Sequence, residues 1–235
     1  MTSEPKFMFG SAYAVFSGES NLNTFHQNAA FQIVISNDEE IVVIDETDRK
    51  YVGKIILIKP LIKSKIQSDA KVIHLYLSPR ISLTLDLIKL VGDANIRILD
   101  NPENLPFNVD TKKDDIIKIL DKFDQVSIER LDPRLLKVLE DLNQNLDNPS
   151  IFSAAQRCGL SRSRVRTLAR EQLGIPLSTW VTWRKLVKAN KALSTGANLS
   201  DAALEGHFSD QAHFTRTMKR MFGVTPTDAL RIYTY

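Results

Sequence analysis

The sequence predicts an α+β protein: a small β-rich N-terminal domain, then an all-α domain in which two helix-turn-helix units are joined by a long linker helix. Three observations carry this. Short β-branched runs are confined to the first half, helical periodicity takes over from Pro133, and the helical half repeats itself at an offset of 48–49 residues. The 235 residues are 43% apolar and 25% charged, a composition that excludes a disordered or collagen-like chain. A single cysteine, Cys158, excludes a disulfide scaffold. The start MTSEPKFMFG lacks the order of a secretory leader, and no apolar stretch approaches the roughly 20 residues that span a bilayer. A cytoplasmic chain with no membrane partner is expected.

In the first half, Phe31–Ser36, Ile41–Ile44, Lys54–Ile58 and Val72–Leu77 have strand length and composition, with SNDEE (36–40) and DETDRK (45–50) as connections. Two helices follow, over Ser82–Val91 and Asp114–Phe123, where apolar residues recur at helical spacing. The prolines of Asp100–Phe107 mark a loop between them. The expected organisation is a regulatory domain over 1–105, a helical linker suited to dimerisation over 106–132, and a helical domain over 133–235.

Asp132-Pro133 opens that last domain, since proline is tolerated in a first helical turn. Leu135, Leu136, Val138, Leu139 and Leu142 stripe a first helix, expected to end near Asn148-Pro149. Ile151–Cys158, the turn at Gly159 and a helix capped by Ser161 form the first helix-turn-helix, over about 151–173. Pro176–Ser194 reads as the linker helix, with Trp180 in the core and Trp183 partly exposed or packed against a neighbouring element. Leu199–Gly206, a turn at His207-Phe208 and a helix capped by Ser209 form the second unit, over about 199–222. Val165, Ala169, Leu173, Gly174 and Ile175 recur as Phe214, Met218, Phe222, Gly223 and Val224, each 49 residues on. Thr225-Pro226-Thr227-Asp228 has the order of a capped helix start.

Charge separates the halves. Residues 1–132 hold sixteen basic and twenty acidic side chains, net −4, whereas 133–235 hold fifteen and eight, net +7. Only the second half is suited to a polyanion. With Val165, Leu168 and Ala169 turned inward, Ser163, Arg166, Thr167 and Arg170 share an outer stripe. In the second unit Gln211, Ala212, Thr215, Arg216 and Lys219 do the same. Arg can pair with guanine, Gln with adenine, and Thr or Ala can touch a thymine methyl in the major groove of double-stranded DNA. Phosphate contacts are expected from Arg162, Arg164, Arg170, Lys219 and Arg220. A lone basic helix is more often a solvated face; two capped helices with matching inward residues favour DNA reading.

Phe208-Ser-Asp-Gln-Ala-His-Phe-Thr-Arg-Thr-Met-Lys-Arg-Met-Phe-Gly-Val-Thr-Pro226 resembles the paired helix-turn-helix domain of the AraC/XylS transcription regulators, and residues 154–181 match in register. The resemblance implies two recognition helices in successive major grooves, roughly 34 Å apart. By position it assigns base reading to Ser163, Arg166 and Thr167, and to Gln211, Ala212, Thr215 and Arg216. His207 stands where the family usually has a turn glycine and Ala202 where a larger aliphatic residue is usual, so the second unit is expected to be the less stable. The family's N-terminal halves are often cupin-like, jelly-roll barrels that bind an effector or dimerise, and residues 25–79 resemble one in reduced length.

From the resemblance follow RNA polymerase as a partner, a small-molecule or protein effector, and a homodimer. A cupin metal centre needs clustered histidines and carboxylates, but this half has only His26 and His74, with Lys63-Ser-Lys65 where a ligand would be sought. No metal, cofactor or catalytic residue is expected. Phe25, His26 and Tyr76 are the residues suited to an effector pocket. Cys158 reads as a packed thiol. Two readings compete with a promoter activator: a small cupin-type enzyme, for which no nucleophile, base and acid stand together, and a non-specific DNA-coating protein.

Overall fold

In the computed structural model, which describes residues 7–10, 12–19, 24–67, 71–79, 81–100, 102–126 and 131–228, the first half folds into two antiparallel sheets. In chain order the strands are β1 (Phe7–Phe9), β2 (Tyr13–Glu19), β3 (His26–Gln27), β4 (Phe31–Ser36), β5 (Ile41–Asp45), β6 (Lys50–Gly53), β7 (Ile55–Ile58), β8 (Lys63–Gln67), β9 (Lys71–Leu77) and β10 (Ile96–Ile98). One sheet has the order β1-β2-β9-β4-β7-β10 and the other β3-β8-β5-β6. The helices α1 (Ser82–Val91) and α2 (Lys113–Val126) belong to the same half.

The centre of the larger sheet is buried on both faces, which is why β7 is an unbroken apolar run and every residue of β4 is buried, Gln32 and Ser36 included. Phe31, Ile33, Ile35, Ile55 and Leu57 pack with Leu87, Ile116 and Leu120 of the two helices. Their neighbours Val34, Ile56 and Ile58 pack with Ile41, Val43 and Ile66 of the smaller sheet. The Tyr13 hydroxyl donates to Asp121 Oδ1 at 2.5 Å and fixes α2 on β2.

The second half holds α3 (Pro133–Gln144), α4 (Ile151–Arg157), α5 (Arg162–Leu173), α6 (Leu177–Ser194), α7 (Leu199–Glu205) and α8 (Gln211–Phe222). α3 stops short of Asn148 because the Asn145 side chain donates to the Asp141 carbonyl at 2.8 Å and takes over its last turn. Arg157 grips the same Asp141 through its carboxylate at 2.6 and 2.9 Å, tying α4 to α3. α6 runs through the middle and buries Trp180 and Trp183 completely or nearly so. Thr225 and Asp228 exchange hydrogen bonds in a capping box, and the rest of that helix lies outside the described residues.

One apolar cluster runs through this half and does not stop at the domain boundary: Ala14, Ala29, Ala30 and Tyr76 belong to it, with Phe9 and Phe16 packed against it. The smaller sheet covers one part of the large sheet's inner face. α6 and α8 close the remainder, with the Phe222 ring edge-on to Tyr76 at 5.0 Å and to Phe9 at 6.4 Å.

Candidate nucleic-acid interface

Each unit begins with a short helix held by its own cap. Ser150 accepts from the Ser153 N–H at the start of α4, and Asn198 from the Asp201 N–H at the start of α7. The second helices differ from expectation at one point. Ser161 caps α5, accepting from Arg164 N–H at 3.2 Å, but α8 is capped by Asp210, which accepts from His213 N–H at 2.6 Å. Ser209, expected as the cap, instead bonds the Asp210 carboxylate and His213 Nδ1. A carboxylate beside free N–H groups outcompetes a hydroxyl, and the N–H of His213 with the Ser209 hydroxyl holds the Asp210 carboxyl below the usual range.

With Asp210 as cap, α5 and α8 correspond throughout at 49 residues while α4 and α7 correspond at 48. The additional residue lies in the second turn, 206–210 against 158–161. Gly159 takes the left-handed conformation at φ +66°, and its counterpart His207 does so at φ +55°. Gly206 is at φ −77°, yet has no room for a side chain: a Cβ there would stand 2.6 Å from Ala189 Cβ and 2.8 Å from the Lys185 carbonyl. Thus the glycine serves close approach to α6, and the histidine carries the turn. The Lys185 ammonium donates to the His207 carbonyl and that of Lys188 to its ring, both at 2.9 Å. Burial, then the charge of Lys188, holds the imidazole below its ordinary pKa.

Both second helices bury the expected faces. Val165, Leu168, Ala169 and Leu173 lie inside on α5; Phe214, Met218, Met221 and Phe222 lie inside on α8, joined by Thr217. Ser163, Arg166, Thr167 and Arg170 are exposed, as are Arg162 and Arg164. On α8, Gln211, Ala212, Arg216, Lys219 and Arg220 are exposed and Thr215 is half-buried. Arg162 lies over the Phe152 ring at 4.8 Å, and Gln211 accepts from Ser200 at 3.2 Å. Among the described residues no carboxylate lies within ion-pair distance of Arg164, Arg166, Arg170, Arg216 or Lys219. Their charges remain available to an anion.

The three residues considered for an effector pocket are placed differently. Phe25 is 39% exposed, with Lys63 and Lys65 over its ring, because alternate residues at a strand point to opposite sides. His26 and Tyr76 are buried where the domains meet. A different hollow, missed by sequence reasoning, lies there: a groove of about 340 Å³ lined by Gln27, Leu61, Ser178, Thr179, Thr182, Arg220 and Met221. Leu61 holds a left-handed φ of +64°, an uncommon conformation for a bulky residue. No sequence signal joins these residues, which come from a loop, a strand and two helices. Arg220, expected at a phosphate, lines this groove. Among the described residues no group of three or more His, Cys, Asp or Glu stands where it could hold a metal ion, and no helix is long and apolar enough to cross a membrane.

Residues 154–232 match the family model described as a helix-turn-helix domain. The chain is similar to PqrA of Proteus vulgaris, which bears the name probable transcription factor, at 33% identity over 93 residues, 40% of this chain and 76% of that protein. It is similar to the virulence regulon transcriptional activator VirF of Yersinia enterocolitica at 30% identity over 101 residues, 43% of this chain and 36% of VirF. The match spans about two fifths of the length of the first of its curated relatives. In overall fold the chain is similar to ToxT of Vibrio cholerae, with a TM-score of 0.59 and 14% identity, over 95% of this chain and 100% of that one. Another structure of ToxT with this fold is described as unsaturated fatty acid bound, with a TM-score of 0.55 and 14% identity, over 97% of this chain and 98% of that one.

Proposed function

The chain belongs to the AraC/XylS family of helix-turn-helix regulators, and from that premise we propose that it is a sequence-specific DNA-binding transcription activator acting in the cytoplasm. One observation carries the reading. α5 and α8, related by 49 residues, bury matching apolar faces and turn outward two polar and basic stripes without ion-pair partners among the described residues. Ser163, Arg166 and Thr167 read bases from α5, and Gln211, Ala212, Thr215 and Arg216 from α8. Arg162, Arg164, Arg170 and Lys219 engage phosphates. RNA polymerase is the partner of activation, and residues 106–132 serve pairing with a second copy.

The effector enters the groove between the halves rather than a pocket around Phe25. Arg220 supplies a cation there, and Ser178, Thr179 and Thr182 supply hydroxyls. No side chain caps α6, whose N-cap is Pro176, so the start of the helix keeps N–H groups that no side chain takes up. These groups suit a carboxylic acid, the class named for one ToxT structure. Arg220 therefore serves the effector and not the phosphate backbone.

Selection of bound sequences from a random DNA pool, followed by titration of variants, tests the reading. Arg166→Ala and Arg216→Ala should each cost about 1–3 kcal/mol at the selected site and relax one base position. Arg164→Ala should weaken all sequences alike. Equal, sequence-blind losses from all three would reduce the protein to a DNA-coating one.

A further inference from the structure

The end of α8 is held by the N-terminal half through a seam that is polar, buried and incompletely hydrogen-bonded. Thr24 Oγ1 donates to the Gly223 carbonyl at 2.9 Å. The His26 ring lies against the same glycine: a Cβ on Gly223 would stand 3.0 Å from His26 Nδ1. His26 Nδ1 is 3.1 Å from the Thr24 carbonyl and Nε2 is 3.4 Å from Gln32 Oε1. Behind it, His74 Nδ1 meets the Tyr76 hydroxyl at 3.4 Å, and Phe16 stands edge-on to the His74 ring. Gln32 Nε2, Ser64 Oγ, His74 Nε2 and Trp183 Nε1 are buried without hydrogen-bond partners. Each of them is held out of water at a desolvation cost that no hydrogen bond offsets.

We infer that this seam is a proton-operated latch, which holds the end of the second recognition helix while His26 is neutral and releases it when His26 takes up a second proton. Among the described residues, every charged side chain of the two elements that flank it, β8 and α8, is cationic. On β8, Lys63 and Lys65 flank Ser64, the register partner of His26. On α8, Lys219 and Arg220 precede the contact; Phe222 and Gly223 make it. β2 and β4 present Phe16 and Gln32, β9 presents His74 and Tyr76, and α6 presents Trp183. The acid that follows α8, Asp228, is engaged by Thr225. No carboxylate among these groups is placed to compensate an imidazolium.

Burial pushes the His26 pKa below 6.5 despite the Thr24 and Gln32 oxygens, which raise it. For His74 burial, then the charge of His26, lowers the value to about 3, too low to trigger. A group whose folded pKa is depressed as a base contributes stability fully above its unfolded value. That stability is lost as pH falls below about 6.5 toward the folded value.

The test is hydrogen–deuterium exchange on the full chain without DNA, from pH 7.5 to 5.0, corrected for intrinsic rates. The expected result is at least a tenfold rise in exchange at residues 24–27 and 222–224 for the natural chain, and less than twofold for His26→Gln. His207→Gln and His213→Gln should keep the natural profile. Identical profiles for the natural chain and His26→Gln, undiminished protection at pH 5, or loss of the response in His207→Gln or His213→Gln would overturn the latch. Should His26→Gln lose its near-ultraviolet dichroism, the His26 ring titration in the natural chain, followed by carbon-13 resonance, decides. A midpoint coincident with the exchange midpoint supports the latch, and a separate one overturns it.

Discussion

The two helix-turn-helix units share an architecture but end differently. At the end of α5, Gly174 takes φ +69° and a side chain there would meet nothing within 4 Å. At the end of α8, Gly223 takes φ +76° and is pressed against His26, while Phe222 is wedged among Tyr76, Phe9 and Trp183. A duplicated element has thus been given two duties. The first unit is positioned by its own domain, whereas the second is also positioned by the N-terminal half; on the function proposed above, a signal from that half would reach DNA most directly through α8.

The comparison can be broken most forcefully at its ends. Phe222→Ala should cost about 3–5 kcal/mol and its counterpart Leu173→Ala about 2–5, read by denaturant unfolding. Only Phe222→Ala should also raise exchange on β9, and equal exchange in the two variants would erase the distinction. Gly206→Ala should cost about 1–3 kcal/mol, because the new methyl runs into α6. Cys158→Ala at the matching, half-exposed position should cost less than about 1.5 kcal/mol.

The caps sharpen the comparison. Ser161→Ala should cost about 1 kcal/mol. Asp210→Ala should lower the melting temperature, and Ser209→Ala should lower it less. Because the Asp210 carboxyl titrates below its unfolded value, its contribution is complete above about pH 4 and fades as pH falls through the folded value. The smallest effect belongs to His207→Gly. Relief of the left-handed strain is offset by the backbone freedom of glycine and loss of the Lys188 contact, so stability should move by less than about 1 kcal/mol in thermal melts. A larger loss would show that the lysine contact, rather than the φ angle, selects the histidine.

How legible these features were follows from the range of the interactions that make them. The outer stripes of α5 and α8 could be read because a 3.6-residue period and a 49-residue repeat are both local patterns, and β4, β5, β7 and β9 because burial enriches them in β-branched residues. β8 was hidden by its two lysines, which alternate outward around the buried Ser64. The one-residue excess of the second turn was misassigned because Ser209 and Asp210 are both good caps and only geometry separates them. The seam could not be read at all: Thr24 and Gly223 are 199 positions apart and neither residue type advertises the other.

The aromatic seal between the halves also bears on where this chain can be divided. A cut near Pro133 follows the change in charge, yet it would leave Phe222 and Trp183 facing solvent on one fragment, and Tyr76, Phe9 and Phe16 on the other. Contiguous exposed rings of this kind promote aggregation. A soluble DNA-binding fragment therefore calls for polar replacements along that surface, and its appetite for self-association without them measures how much of the regulator's core is held in common.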